Sequence, residues 1–233
     1  MIDTKLILIE GIPGSGKSTT AWKLAAEIEN SGRNCNCFLE WDDPHPIFIG
    51  YERDIAKIIS SSGEHQDDIL KQWAKFAGEA QTKEAVNIIE SRFWQTGVMF
   101  MYLAGHSEDE VIESNQRVVT AIADLKPVLI YFTNDNIEKA LTRTFQIKNE
   151  QWAKAGRGET AWEDFFSAAV GQQKLAADSG LEGREVWFRF FSEWTAVAEK
   201  LYDRFAFPKI KIQNPHSDWN LNMAKIRVFL GLA

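Results

Sequence analysis

Apolar positions along this chain follow two rhythms. Short, largely apolar runs at Leu6–Ile9, Cys35–Leu39, Ala85–Ile89, Pro127–Phe132 and Pro208–Ile212 predict five strands. The fourth is almost wholly apolar, as a parallel strand covered on both faces requires. Between the strands, apolar residues return every three or four positions and predict amphipathic helices. The first spans Lys17–Ser31, with Trp22, Leu24, Ala25, Ala26 and Ile28 as its apolar face and Gly32 as its stop. Ile47–Ser61 (Ile55, Ile58, Ile59) and His65–Thr82 (Ile69, Leu70, Trp73, Phe76) follow, divided at Ser60–Gly63. Thr96–Leu103 and Asp109–Leu125 come next, the second preceded by a capping box at Ser107 and Glu110. A helix starts at Ile137 and runs to a break at Gly156 and Gly158. Trp162, Phe165, Phe166 and Ala169 mark another, and Trp187, Phe190, Phe191, Trp194, Val197, Leu201 and Phe205 mark a core stripe on the next. Trp219–Leu230 closes the chain. Strands alternating with helices predict an α/β fold, a five-stranded parallel sheet with helices on both faces.

The turn between the first strand and the first helix carries the chemistry. Gly11, Gly16, Lys17 and Ser18 fill the fixed positions of the phosphate-binding pattern G-x-x-x-x-G-K-[ST]. Glycines let the backbone approach an anion closely, and successive N–H groups then cradle phosphate oxygens. The new helix adds its unpaired N–H groups and positive dipole end. Gly11, Ile12, Pro13, Gly14, Ser15, Gly16, Lys17, Ser18 and Thr19 are the expected nucleotide-binding residues. Lys17 is expected to reach the β- and γ-phosphates, and Ser18 to ligate Mg²⁺.

Composition narrows the setting. The 233 residues suit one domain, 1–233, with a helical lid or insert over about 136–206. A net charge of −7 opposes nonspecific binding to nucleic acid or to an anionic membrane. There is no apolar run long enough to span a bilayer, and the first strand follows too soon for a signal peptide. A cytoplasmic protein is the expectation. Cys35 and Cys37, the two cysteines, are read as turned to opposite faces of a strand and unable to bridge. No disulfide framework or Cys-rich metal site is expected. The Trp- and Phe-rich helices between 160 and 206 have enough apolar surface for a homodimer interface.

Four segments are similar to the P-loop kinases of nucleosides and nucleotides, the thymidylate kinase and deoxynucleoside kinase group. They are Glu10-Gly11-Ile12-Pro13-Gly14-Ser15-Gly16-Lys17-Ser18-Thr19-Thr20, then Phe38-Leu39-Glu40, then Ile89-Glu90-Ser91-Arg92, and finally Leu129–Phe132 with Glu138–Arg143. The first is the specific one. The resemblance implies a P-loop NTPase three-layer sandwich, ATP and Mg²⁺. It implies that Glu40 is the general base on the acceptor hydroxyl. It also suggests a lid cation on the transferred phosphoryl group, with Arg143 first and Lys148 or Lys154 next. Two departures stand out. Ser91-Arg92 has the order opposite to the family's R-S, and the R-x-x-R-G-R lid pattern is replaced by Arg143, Gln146 and Lys148.

The residues themselves leave choices open. Glu40, Asp42 and Asp43 cluster where a parallel sheet binds ligands, and any of them suits a base. Glu90 ends the third strand and is placed to hold Mg²⁺ through water, or to pair with Arg92. Arg92 is a candidate for an anionic substrate group or the transition state. Trp41, Phe93 and Trp94 either stack on a flat substrate or line the sheet edge. His45 and His106 read as surface or core residues, without metal-ligand spacing. The expected function is ATP- and Mg²⁺-dependent phosphoryl transfer to a small-molecule acceptor, most readily a nucleoside or nucleotide. The alternatives are a kinase of another small alcohol such as an antibiotic, a nucleotide-dependent regulatory NTPase and, more weakly, sulfuryl transfer.

Overall fold

The first strand is the axis of the structure. In the computed structural model, which describes residues 2–40, 42–47, 62–156, 158, 160, 162–164 and 180–232, β1 (Leu6–Gly11) lies at the centre of a five-stranded sheet. Leu6, Ile7, Leu8 and Ile9 are all fully buried. A strand with apolar residues on both faces is stable only with a layer packed on each side. Each such side chain contributes roughly 1.5–3 kcal/mol by leaving water.

The elements follow as α1 (Lys17–Asn30), β2 (Asn34–Phe38), α2 (Ser62–Gln81) and β3 (Ala85–Glu90). A π-helical turn, Trp94–Val98, runs into α3 (Met99–Leu103), and α4 (Glu108–Ala121) is followed by a 3₁₀ turn at Ala123–Leu125. Then come β4 (Val128–Thr133), α5 (Ile137–Lys154), α6 (Arg184–Arg204), β5 (Lys209–Gln213) and α7 (Trp219–Leu230). The strand order is β2-β3-β1-β4-β5, and every pairing is parallel. One face of the sheet packs Ile7, Ile9, Ile88 and Ile130 against Ala21, Leu24 and Ile28 of α1 and Met223, Ile226 and Leu230 of α7. The other packs Leu6, Leu8, Ile89 and Leu129 under α2 to α6. This is a three-layer α/β sandwich, with the glycine-rich turn between β1 and α1.

Several expectations need correction. The buried face of α1 is Thr20, Ala21, Leu24 and Ile28, while Trp22 is 61% exposed on its outer side. Cys35 and Cys37 share a face, as the two-residue period of a strand dictates, and pack against the same apolar cluster. Both are free thiols. The helix expected over Asp109–Leu125 stops at Ala121, and Lys126 turns the chain into β4 with a left-handed φ of 50°. The core stripe of α6 is buried as expected, from Trp187 to Leu201. The expected helix at Ile47–Ser61 (with Ile55, Ile58 and Ile59) lies outside the described residues beyond Ile47, as do Trp41, Phe165, Phe166 and Ala169.

Candidate active site

The site forms where the carboxyl ends of β1, β3 and β2 meet. Register places Glu90 beside Ile9 and Phe38 beside Ile89. Residues just beyond each strand therefore converge, which is where parallel sheets bind ligands. On the β1 side, neighbouring side chains pack closely against the loop. Gly16 has φ 93°, and a Cβ there would lie 2.6 Å from the Trp219 ring. Gly14 has φ 75°, and a Cβ there would lie 1.9 Å from Thr144 Oγ1. Thr144 of α5 donates to the Pro13 carbonyl at 3.1 Å, and His216 Nε2 pairs with the Gly14 carbonyl at 2.7 Å. The first α1 hydrogen bond from beyond the loop is Thr20 N–H to the Gly16 carbonyl. The N–H groups of Lys17, Ser18 and Thr19 precede it and have no partner within the helix, which suits an anion. Ile12 and Ser15 are buried beneath the loop, and Ser18 is half-buried.

Lys17 is folded inward and only 5% exposed. Its Nζ donates to the Gly11 carbonyl at 2.9 Å, the Ile12 carbonyl at 3.0 Å and Gln95 Oε1 at 3.1 Å. Glu90 Oε1 lies 3.9 Å away. Gln95 Nε2 donates in turn to Glu40, at 3.2 and 3.4 Å from its two oxygens. Glu40 is tied down by its backbone as well. Its N–H donates to Glu90 Oε2 at 3.1 Å, and its carbonyl accepts from Arg92 Nη2. Ser91 donates to Glu90 Oε1 at 2.6 Å and has a left-handed φ of 62°. That turn at Ser91 is how the reversed Ser-Arg order still delivers the Arg92 guanidinium to the end of β2. The structure thus brings buried Lys17, Glu90 and Arg92 together with half-buried Glu40 in one cluster.

Charge in this cluster is lopsided. Burial pushes the Glu40 carboxyl up to about 7, and the Glu90 charge adds to that against Lys17, Arg92 and Lys148. Burial also pushes Glu10 up to about 8, despite hydrogen bonds that stabilise its charged form. Glu10 accepts from the N–H groups of Phe93 and Trp94, both at 2.9 Å, and of Gln95 at 3.4 Å. It holds the start of the π-helical turn, which begins two residues before the expected Thr96. A cavity of about 10 Å³ beside Glu10 is bordered by Gln95, Tyr131, Trp194, Thr195 and Ala198.

The other candidates are distributed differently. Asp42 accepts from the Leu39 N–H at 2.7 Å and closes the turn after β2; Asp43 is exposed. Phe93 and Trp94 are 1% exposed core residues, packed on Trp73 and Tyr131, and offer no stacking surface. His45 is buried with Nδ1 on Ile47, and burial together with Arg92 lowers its pKa to about 4. His106 is paired with Glu110 at 3.6 Å. Arg143 is exposed on α5 and borders a surface basin of about 490 Å³ with Lys139, Thr142 and Gln146. Lys148 is half-buried one turn beyond Thr144, and its charge acts on Glu40. Lys154 ends the same unbroken helix. Among the described residues, no group of three His, Cys, Asp or Glu side chains is arranged to hold a metal by itself. Gln95 and Glu10 were not singled out from sequence. The only signal for Glu10 was its place at the head of the loop motif, and Gln95 carried none.

No protein-family model matches the sequence, and no curated protein matches it. Solved structures do. The deoxyadenosine kinase of M. mycoides with bound dATP is 18% identical, with a TM-score of 0.48 over 97% of this chain and 99% of its own. An uncharacterized protein from Eubacterium ventriosum is 14% identical, with a TM-score of 0.39 over 99% of each chain. The tRNA delta(2)-isopentenylpyrophosphate transferase of Staphylococcus epidermidis is 10% identical, with a TM-score of 0.39 over 96% of this chain and 97% of its own. At these scores none of them assigns a role to a residue here. The architecture rests on the strand order and the loop.

Proposed function

We propose that this protein is an ATP- and Mg²⁺-dependent phosphotransferase acting on a small hydroxyl- or phosphate-bearing acceptor, with a nucleoside or nucleotide as the first candidate. The observation that carries the reading is the pair of half-sites joined by Gln95. One is an anion cradle with an inward lysine, and the other is a half-buried carboxylate, Glu40, at the end of β2. Phosphoryl transfer needs little covalent chemistry from a protein. It needs positioning and cancellation of charge.

In this reading the loop N–H groups and Lys17 take the β- and γ-phosphates. The acceptor oxygen attacks the γ-phosphorus, the bond to the ADP oxygen breaks, and Glu40 accepts the acceptor's proton. A base with a pKa near 7 is matched to work near neutral pH. Arg92, bound to the Glu40 carbonyl, sits beside the acceptor end of that path. Arg143 supplies the second cation from the lid helix, with Lys148 biasing Glu40. The surplus of carboxylate, with Glu90 raising the pKa of both Glu10 and Glu40, fits a divalent cation. Ser18, and Glu90 through water, would hold Mg²⁺, which would neutralise phosphate charge.

Lys17→Ala is expected to abolish phosphoryl transfer while the protein stays folded by circular dichroism; full activity in that variant contradicts the assignment. A thermal-shift series with Mg·ATP, GTP and a nucleoside panel separates the readings further. A nucleoside that raises the melting point beyond Mg·ATP alone supports the kinase. Slow ATP hydrolysis with no acceptor response supports a regulatory NTPase.

A further inference from the structure

The side chain at position 95 has to satisfy a donor and an acceptor at once. Lys17 Nζ can only donate and the Glu40 carboxylate only accepts, so the Gln95 amide is fixed in orientation by its partners. The residue is 8% exposed and its backbone is pinned. Glu10 takes the N–H groups of residues 93, 94 and 95, and Trp94 packs on Tyr131 at 5.2 Å. A carboxylate at this position could not donate to Glu40, and a thioether could do neither job. In this arrangement Lys17 is engaged by main-chain carbonyls of its own loop.

We propose that Gln95 is a positioning residue that couples the phosphate loop to the acceptor carboxylate, so that nucleotide binding releases it for the acceptor. The inference rests on the phosphotransferase reading above. For Lys17 to meet a triphosphate, its bond to Gln95 must break. Gln95 Oε1 is then a buried acceptor without a donor, which is unfavourable. A second donor on the acceptor, beside the hydroxyl whose proton goes to Glu40, supplies the missing partner. Nucleotide and acceptor each favour the other's binding through one amide.

The test is calorimetric titration with Mg²⁺ and a non-hydrolysable ATP analogue, on the unsubstituted protein, Gln95→Met and Gln95→Glu. Gln95→Met removes the hold on Lys17 at nearly constant volume and should tighten nucleotide binding about three- to tenfold. Gln95→Glu pairs with Lys17 and should weaken it by at least as much. A purely structural lesion weakens both. Unchanged or weaker binding in Gln95→Met overturns the inference while leaving the phosphotransferase reading in place. No nucleotide binding by the unsubstituted protein overturns both. If Gln95→Met does not fold, Gln95→Leu carries the same expectation.

Discussion

Glu10 immediately precedes the phosphate loop and is 1% exposed. Its folded-state pKa of about 8 lies above the ordinary 4.5 because burial outweighs its three backbone donors. A raised carboxyl value means that protonation favours the folded state. That contribution is complete below about pH 4.5 and is lost as the pH rises through about 8. The denaturation midpoint is therefore expected to fall between about pH 5 and pH 9, and to fall less in Glu10→Gln; parallel curves for the two proteins would contradict this. Glu40 makes a kinetic prediction. Turnover should rise with pH through about 7 and level off above it. Glu40→Gln should lose about 10²–10⁴-fold in rate and the pH limb with it. Among the candidate-site residues, Lys17, Ser18, Glu40 and Glu90 were legible in the sequence because each sits in or beside a strand-to-loop segment. Gln95 was not, because its significance is a pair of distances to residues 78 and 55 positions away.

At the level of elements, what was legible was local. Strands β1, β3 and β4 announce themselves as apolar runs, and α4 starts at a capping box that forms in both halves, Ser107 to Glu110 and back. That box is exposed and far from the site in sequence. Ser107→Ala is expected to lower stability by about 1 kcal/mol and leave nucleotide affinity unchanged. What was not legible was tertiary. The turn at Trp94 starts early because Glu10, 84 positions away, takes its N–H groups. Trp22 sits on the outside of α1 because residues 20, 21, 24 and 28 already supply the helical stripe. Helix α5 reaches the loop through Thr144, so its adjacent turns lie beside the glycine-rich turn. Its other face is joined to α6 through Asn149, Glu163 and Arg184. Arg143 is exposed, so Arg143→Ala is expected to lower turnover about 10²-fold with little change in melting temperature. A melting point that falls along with the rate would assign Arg143 to structure instead.

At the scale of the whole molecule, the sheet does the gathering. The strand order β2-β3-β1 places three segments spread over some 80 residues of chain at one edge, and pattern reading cannot bring them together. Continuous apolar runs did establish the two covered faces, because a strand apolar on both sides needs a layer packed on each. The aromatic stripe of α6 is buried within the chain. The large apolar side chains left exposed among the described residues are Trp22, Ile147, Leu221 and Val228. No described helix is long and apolar enough to cross a membrane. The central claim is that the turn from Gly11 to Thr19 receives a triphosphate and that Lys17 moves to meet it. A crystal structure with Mg²⁺ and a non-hydrolysable ATP analogue tests this most directly. The account predicts phosphate oxygens on the loop N–H groups, with Lys17 Nζ withdrawn from the Gly11 and Ile12 carbonyls and from Gln95. A nucleotide seated elsewhere, or a filled loop with Lys17 still on those carbonyls, would contradict it.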